Sequence, residues 1–217
     1  MERRNIFHLV LTSALVFSFV FCLAELQVSK DASDLVEIVK INSNIKIEIW
    51  YATPNNFVGE VLYESAKCYL RKEVAEKLDE IQKELETLGL GLKVWDGYRP
   101  LSVQKKMWEI MPIPGLVANP AKGSNHNRGA AVDLTLVKLD TGEELEMPTP
   151  FDELTERAAR NYTEGISKQA LENCKYLEKL MDKYDFRPNP FEWWHFNDKE
   201  YMSYSILDID FTELGKQ

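Results

Sequence analysis

Two stretches of the chain carry side chains that can do chemistry. In the first, His126 supplies an imidazole nitrogen and Asp133, seven residues on, a carboxylate oxygen. Gly129, Ala130 and Ala131 between them are small enough for the backbone to turn and for a ligand to sit close. In the second, Glu192 and His195 stand three apart among Phe191, Trp193, Trp194 and Phe196. Two imidazoles and one carboxylate around an open fourth position are a way of holding a catalytic zinc. On that reading His126, Asp133 and His195 bind one Zn2+ per chain. Glu192 stays free to act as a base toward water. The chain has three histidines, and His8 lies in an N-terminal apolar run, so both of the others fall in these motifs. A lone histidine beside an acid is usually an ordinary hydrogen-bonded residue; the joint pattern is what points to a metal.

Hydrolysis of a carbonyl compound puts negative charge on oxygen in the tetrahedral intermediate, and a fixed cation beside that oxygen stabilises it. Arg99 is the candidate, in the turn formed by Asp96, Gly97, Tyr98, Arg99 and Pro100. The alternative for Arg99 is a surface arginine paired with Asp96.

The elements that must position these residues can be read from periodicity. Ile45, Ile47 and Ile49 alternate, which predicts a half-buried strand over 41–50, followed by a turn around Pro54. Val74, Leu78, Ile81 and Leu85 recur at helical spacing and predict a helix over 71–88, stopped by Gly89. A short strand over 91–95 delivers the Arg99 turn. Pro100 suits the start of a helix over 101–111, which Pro112 and Pro114 end. Over 131–139, Val132, Leu134 and Leu136 share one face of a strand, with Asp133 and Thr135 on the other. Residues 140–143 read as a hairpin-type turn. A long helix is expected over 164–184, with Ile166, Ala170, Cys174, Leu177 and Met181 facing inward. The aromatic run 191–196 favours a strand. A plain strand would put Glu192 and His195 on opposite faces, so the metal reading requires a bulge, a strong twist, or Glu192 at the strand's edge.

The chain of 217 residues carries a net charge of −9 and no long basic run, which makes nucleic acid an unexpected partner. Arg3 and Arg4 precede an apolar run over 6–21 and small residues at Cys22 and Ala24. This reads as a signal peptide over 1–24, with an uncleaved membrane anchor as the alternative and no other membrane contact. Residues 25–217 then form one domain, exported to a periplasm or secreted. In an oxidising compartment Cys68 and Cys174 are available for one disulfide.

The motifs as they stand also carry a resemblance. Ser124, His126, Gly129, Ala131 and Asp133, together with Glu192, Trp194 and His195, resemble the zinc D,D-peptidases that share a fold with the hedgehog signalling domain. Tyr51-Ala52-Thr53, Asn56-Phe57, the run from Trp95 to Pro100, Phe151-Asp152 and the tryptophan pair are similar to the D-alanyl-D-alanine dipeptidases of the VanX type. The similarity covers roughly residues 51–196. It implies an α+β fold, a small antiparallel sheet flanked by helices in a single domain. It implies zinc on His126, Asp133 and His195, Glu192 as base and Arg99 as transition-state stabiliser. Ser124, Asp152 and Tyr51 match positions that line the substrate site, and Asp152 is placed to pair with a dipeptide ammonium. The alternative for Asp152 is a helix cap for 153–160. Pro148, where the family pattern expects glycine, and the Pro-rich link over 111–123 depart from it. The implied activity is hydrolysis of D-Ala-D-Ala to two D-alanines. The rivals are a D,D-carboxypeptidase trimming cell-wall peptides and a non-hydrolytic zinc-binding recognition module. Glu192 and Arg99 argue against the last, since a pure binder needs neither.

Overall fold

The computed structural model describes residues 34–113 and 117–216. Backbone contacts divide the chain after Asp34, and every element named below belongs to the unit Leu35–Gln217. The segment over 1–24, read from the sequence as a signal peptide, lies outside the described residues. Among those described, no helix is long and apolar enough to cross a membrane.

Seven strands and five helices follow in the order β1 (Leu35–Glu37), α1 (Ile38–Ile41), β2 (Lys46–Ile47), β3 (Tyr69–Arg71), α2 (Lys72–Glu86), β4 (Leu90–Asp96), α3 (Leu101–Ile110), β5 (Ala131–Lys138), α4 (Lys168–Lys183), β6 (Phe186–Pro188), β7 (His195–Asp198) and α5 (Phe211–Leu214). Five strands form one sheet in the order β2-β4-β5-β7-β6, antiparallel except for β2 with β4; β1 and β3 make a separate antiparallel pair. The fold is α+β, as expected.

The longer elements form where periodicity places them. Helix α2 buries Val74, Leu78, Ile81 and Leu85 and packs on β4. Gly89 follows it in a left-handed conformation, φ +70°. Strand β5 buries Val132, Leu134 and Leu136, and also Asp133 and Thr135, so both faces are covered. Helix α4 starts four residues later than the apolar pattern suggests. Gly165 turns with φ +68°, and the Ser167 side chain caps the first turn by accepting from Ala170 N–H. Ile166 therefore falls outside the helix.

Two expectations need correction, and one open question is answered. The strand over 41–50 is mostly absent: its start is the end of α1, its end is a 3-10 turn Trp50–Ala52, and only Lys46–Ile47 pair. Ile45 and Ile49 are buried without a continuous ladder, so burial alone produced the alternation. The aromatic run 191–196 is not one strand. Residues 189–194 form a turn, and pairing begins at His195. Cys68 and Cys174 are both free and buried, so no disulfide joins them. The 140–143 turn is present, with Lys138 N–H donating to the Glu143 carbonyl, but it leads only to a single bridge between Val137 and Glu144.

Candidate active site

Sheet register lays the floor of the site. Asp96 on β4 is registered with Asp133 on β5, and Asp133 with His195 on β7, so three functional side chains stand in a row across three strands. Regular alternation would have set Asp96 beside Val132, because Leu92 pairs with Leu136 and Val94 with Leu134. A bulge between Val94 and Asp96 shifts it by one residue and re-aims its carboxylate beside Asp133. His126 arrives from a 3-10 turn, His126–Arg128, just ahead of β5. Gly129 ends that turn with φ +67°. The left-handed backbone favours glycine there, and a Cβ would press on the Leu35 side chain at 2.7 Å and approach Arg71 N at 3.3 Å.

The two imidazoles are oriented by groups outside the site. His126 Nδ1 lies 2.8 Å from the Gly97 carbonyl, which only accepts, so the ring carries its proton there and turns the Nε2 lone pair inward. His195 Nε2 lies 3.0 Å from Asn197 Oδ1, whose acceptor role is fixed by Asn125 Nδ2 at 2.8 Å. The His195 Nδ1 lone pair therefore also points inward. His126 Nε2 and His195 Nδ1 are 3.1 Å apart. Asp133 Oδ1 is 2.9 Å from the latter and 3.5 Å from the former. Three electron-rich atoms converge, all within 4.8 Å of one another, and both ring protons are committed outward. Such a set repels itself unless positive charge joins it. The buried surroundings oppose charge on His195, yet Asp133 outweighs them and pushes its pKa up to about 9. Burial likewise opposes ionisation of Asp133, and His126 with His195 overcome it, holding its carboxyl well below the usual range. Two nitrogens and one carboxylate oxygen with outward anchors fit a tetrahedral cation such as zinc.

Glu192 stands beside this point. The turn before β7 closes when His195 N–H donates to the Glu192 carbonyl at 3.2 Å. This places Glu192 off the strand, and the conflict between its spacing and strand alternation disappears. Its Oε2 accepts from Asn189 Nδ2 at 2.8 Å and lies 3.8 Å from His195 Nδ1. Burial raises the Glu192 pKa, against the pull of His195.

Arg99 is not a surface residue. It is 8% exposed, pairs with Asp96 as the alternative expected but in the interior, and lines the cavity. Its Nε and Nη2 donate to Asp96 Oδ2 at 3.2 and 2.6 Å, and Nη1 donates to Gln104 Oε1 at 2.8 Å. Asp96 is in turn fixed by Tyr63 O–H at 2.7 Å and Gly97 N–H at 2.9 Å. The guanidinium lies 5.2 Å from the centre of the Tyr51 ring.

Tyr51 O–H donates to Asp152 Oδ1 at 3.1 Å. Asp152 Oδ2 is buried with no partner. The residue also adopts φ +59°, an uncommon conformation for a side chain other than glycine. Burial raises the Asp152 pKa, and Asp133 adds to it. No helix cap is made here: the short 3-10 turn Glu156–Ala158 is capped by Thr155. Ser124 Oγ accepts from His126 N–H at 3.3 Å and steadies the first motif.

All eight residues named from the sequence line one cavity of about 560 Å³. Asp96, Gln104, Asn189 and Asn197 were not singled out as functional, although each orients a site residue. Asp96 stood in the Arg99 turn and Asn189 between Pro188 and Pro190, but a single polar residue beside a motif has no periodicity to mark it.

Comparison with known proteins agrees with this geometry. Residues 31–213 match the peptidase M15 family, described as D-ala-D-ala dipeptidase. A D-alanyl-D-alanine dipeptidase of Escherichia coli K12 is 34% identical over 182 residues, covering 84% of this chain and 93% of its own. Another, from Enterococcus faecalis V583, is 36% identical over 166 residues, covering 67% and 82%. A third, from Enterococcus faecium, is 32% identical over 177 residues, covering 72% and 87%. With a family match over most of its length and a His-Asp-His site inside that match, the chain belongs to the D-ala-D-ala dipeptidase family of metallopeptidases.

Proposed function

We propose that this protein hydrolyses the free dipeptide D-Ala-D-Ala to two D-alanines, with one zinc ion held by His126, Asp133 and His195. The observation that carries the reading is the pairing of two unmet demands in one cavity. A convergent acceptor triad calls for a cation, and the buried Asp152 oxygen lacks a donor. Zinc held by His126, Asp133 and His195 would supply Lewis acidity toward the attacking water and the substrate carbonyl. The chain's own residues do the rest. Glu192, raised by burial and steadied by Asn189, takes the proton of the attacking water and passes it to the leaving amine. Arg99, locked by Asp96 and Gln104, keeps its charge beside the carbonyl oxygen as that oxygen becomes negative. Asp152 accepts the substrate's ammonium group, with Tyr51 holding its other oxygen and Ser124 on the cavity wall.

Asp152 favours a dipeptidase over a carboxypeptidase. An acylated peptide brings no ammonium and would leave that carboxylate buried and unpaired, which costs several kcal/mol, about 3 or more. The test offers purified protein free D-Ala-D-Ala and N-acetyl-D-Ala-D-Ala, with zinc and with chelator. Zinc-dependent cleavage of the free dipeptide alone is expected. Equal cleavage of both would replace the dipeptidase by a carboxypeptidase. Export completes the proposal: the segment 1–24 is removed before Glu25, as N-terminal sequencing of the exported protein would find. A chain that retained Met1 and sedimented with membranes would instead be anchored.

A further inference from the structure

Glu192 sits on a turn, and a base on a turn is only as well placed as the turn itself. Within 189–195 the turn is braced by Asn189 N–H on the His195 carbonyl at 3.0 Å and by Phe191 N–H on Asn189 Oδ1 at 3.0 Å. These bonds close the turn on itself but do not tie it to the rest of the molecule. Leu134 N–H ties it to β5 through the Trp194 carbonyl at 3.1 Å, and Arg160 ties it to the segment that precedes α4. Arg160 Nε donates to the Asn189 carbonyl at 2.7 Å, and its Nη2 to the carbonyls of Trp193 at 2.6 Å and His195 at 3.2 Å. One planar guanidinium thus grips the chain on both sides of Glu192. It lies 4.4 Å from the centre of the Phe196 ring, and Nη1 reaches Glu178 of α4 at 3.5 Å. Backbone bonds flank it: Arg160 N–H donates to the Pro190 carbonyl at 3.1 Å and Trp193 N–H to the Ala158 carbonyl at 3.0 Å.

The same segment that carries Arg160 also carries Asp152. At its near end Trp193 Nε1–H donates to Thr149 Oγ1 at 2.9 Å. The strip from Thr149 to Arg160 and the turn bearing Glu192 are therefore fastened at both ends. We propose that Arg160 is a positioning residue for the reaction: it sets Glu192 relative to Asp152 and so fixes the proton-transfer distance without touching substrate. The inference rests on Glu192 as the base. The side chain is 9% exposed and its bonds go to three carbonyls, a pattern that a lysine's single ammonium cannot reproduce. A misplacement of the base by about 1 Å costs roughly 10²-fold in rate.

The experiment compares wild type, Arg160→Lys, Glu192→Ala and the double variant, with kcat, KM and zinc content measured for each. Arg160→Lys should lower kcat by roughly 10²-fold. KM and zinc content should change by less than about threefold, and added guanidinium should restore part of the rate to Arg160→Ala. In the Glu192→Ala background, Arg160→Lys should have almost no further effect, because a group acting through Glu192 has nothing left to position. Losses that multiply in the double variant, or zinc lost from Arg160→Lys, would overturn the proposal and make Arg160 a general structural brace. A Glu192→Ala enzyme as active as wild type would instead sink the base assignment itself, a separate result. Should Arg160→Ala fail to fold, Arg160→Lys, which keeps the charge, carries the test alone.

Discussion

Sheet register and a closing turn place His126, Asp133 and His195, whereas Asp152 and Glu192 sit on irregular segments. Asp133 and His195 are neighbours because β5 and β7 pair in register, and His126 is set by a turn that closes on a left-handed glycine. Asp152 and Glu192 ride on irregular segments fastened through Tyr51, Asn189, Thr149 and Arg160. The difference follows from what each half must do. Metal ligands must hold a fixed geometry with little freedom, and a sheet ladder supplies that. On the proposed function Asp152 and Glu192 meet the substrate and take charge and proton changes, and loops on a rigid scaffold serve that purpose.

The comparison can be broken most severely at the ladder. His195→Ala should abolish activity and bring zinc content from one per chain to near zero by metal analysis, as chelation should in the wild type. A His195→Ala protein with unchanged zinc would mean that the triad is not the metal site. Glu192→Ala tests the other half. Zinc should stay, since all three ligands remain, while kcat falls by ~10²–10⁴-fold. A loss of only a few fold would reduce Glu192 to a supporting role.

Asp152→Asn sharpens the contrast further, because function and stability should move apart. KM for the free dipeptide should rise by roughly 10²-fold as a charge-assisted contact is lost. The melting temperature should hold or rise, because a buried unpaired negative charge is removed and asparagine tolerates the positive φ. A lower melting temperature with unchanged KM would make Asp152 structural. The smallest expected effect is at Asn197, which fixes the His195 tautomer from outside. Asn197→Ala should weaken zinc binding by about 10- to 100-fold in competition with a chelator, with kcat at saturating zinc nearly intact. No change in affinity would show that β7 alone orients the ring.

Several of these features were legible without coordinates. The helices α2 and α3, the strand β5, and His126, Asp133, His195, Glu192 and Arg99 follow from patterns confined to short windows: helical spacing, alternation, and motif chemistry; Ser124, Asp152 and Tyr51 came from the family resemblance. Periodicity fails where burial has another source. Ile45, Ile47 and Ile49 alternate like a strand, yet only two residues there pair, since a buried irregular segment needs apolar side chains as much as a ladder does. The aromatic run before β7 misleads in the same way. Trp193 and Trp194 are buried in an aromatic cluster with Trp95 and Phe151, where ring packing and not sheet pairing sets the composition.

From the sequence alone came the His126, Asp133 and His195 donor set and the candidates Glu192 and Arg99, because these depend on residue type and near neighbours; Asp152 came from the family resemblance. Tertiary structure decided how they meet. The bulge at Trp95 turns Asp96 toward the site, the turn at 189–194 puts Glu192 on the same side as His195, and Arg160 reaches that turn from a segment about thirty residues earlier. Each of these depends on a one-residue shift of register or on a contact between distant segments. A strand's faces exchange with every single-residue slip, so neither could be read from local pattern.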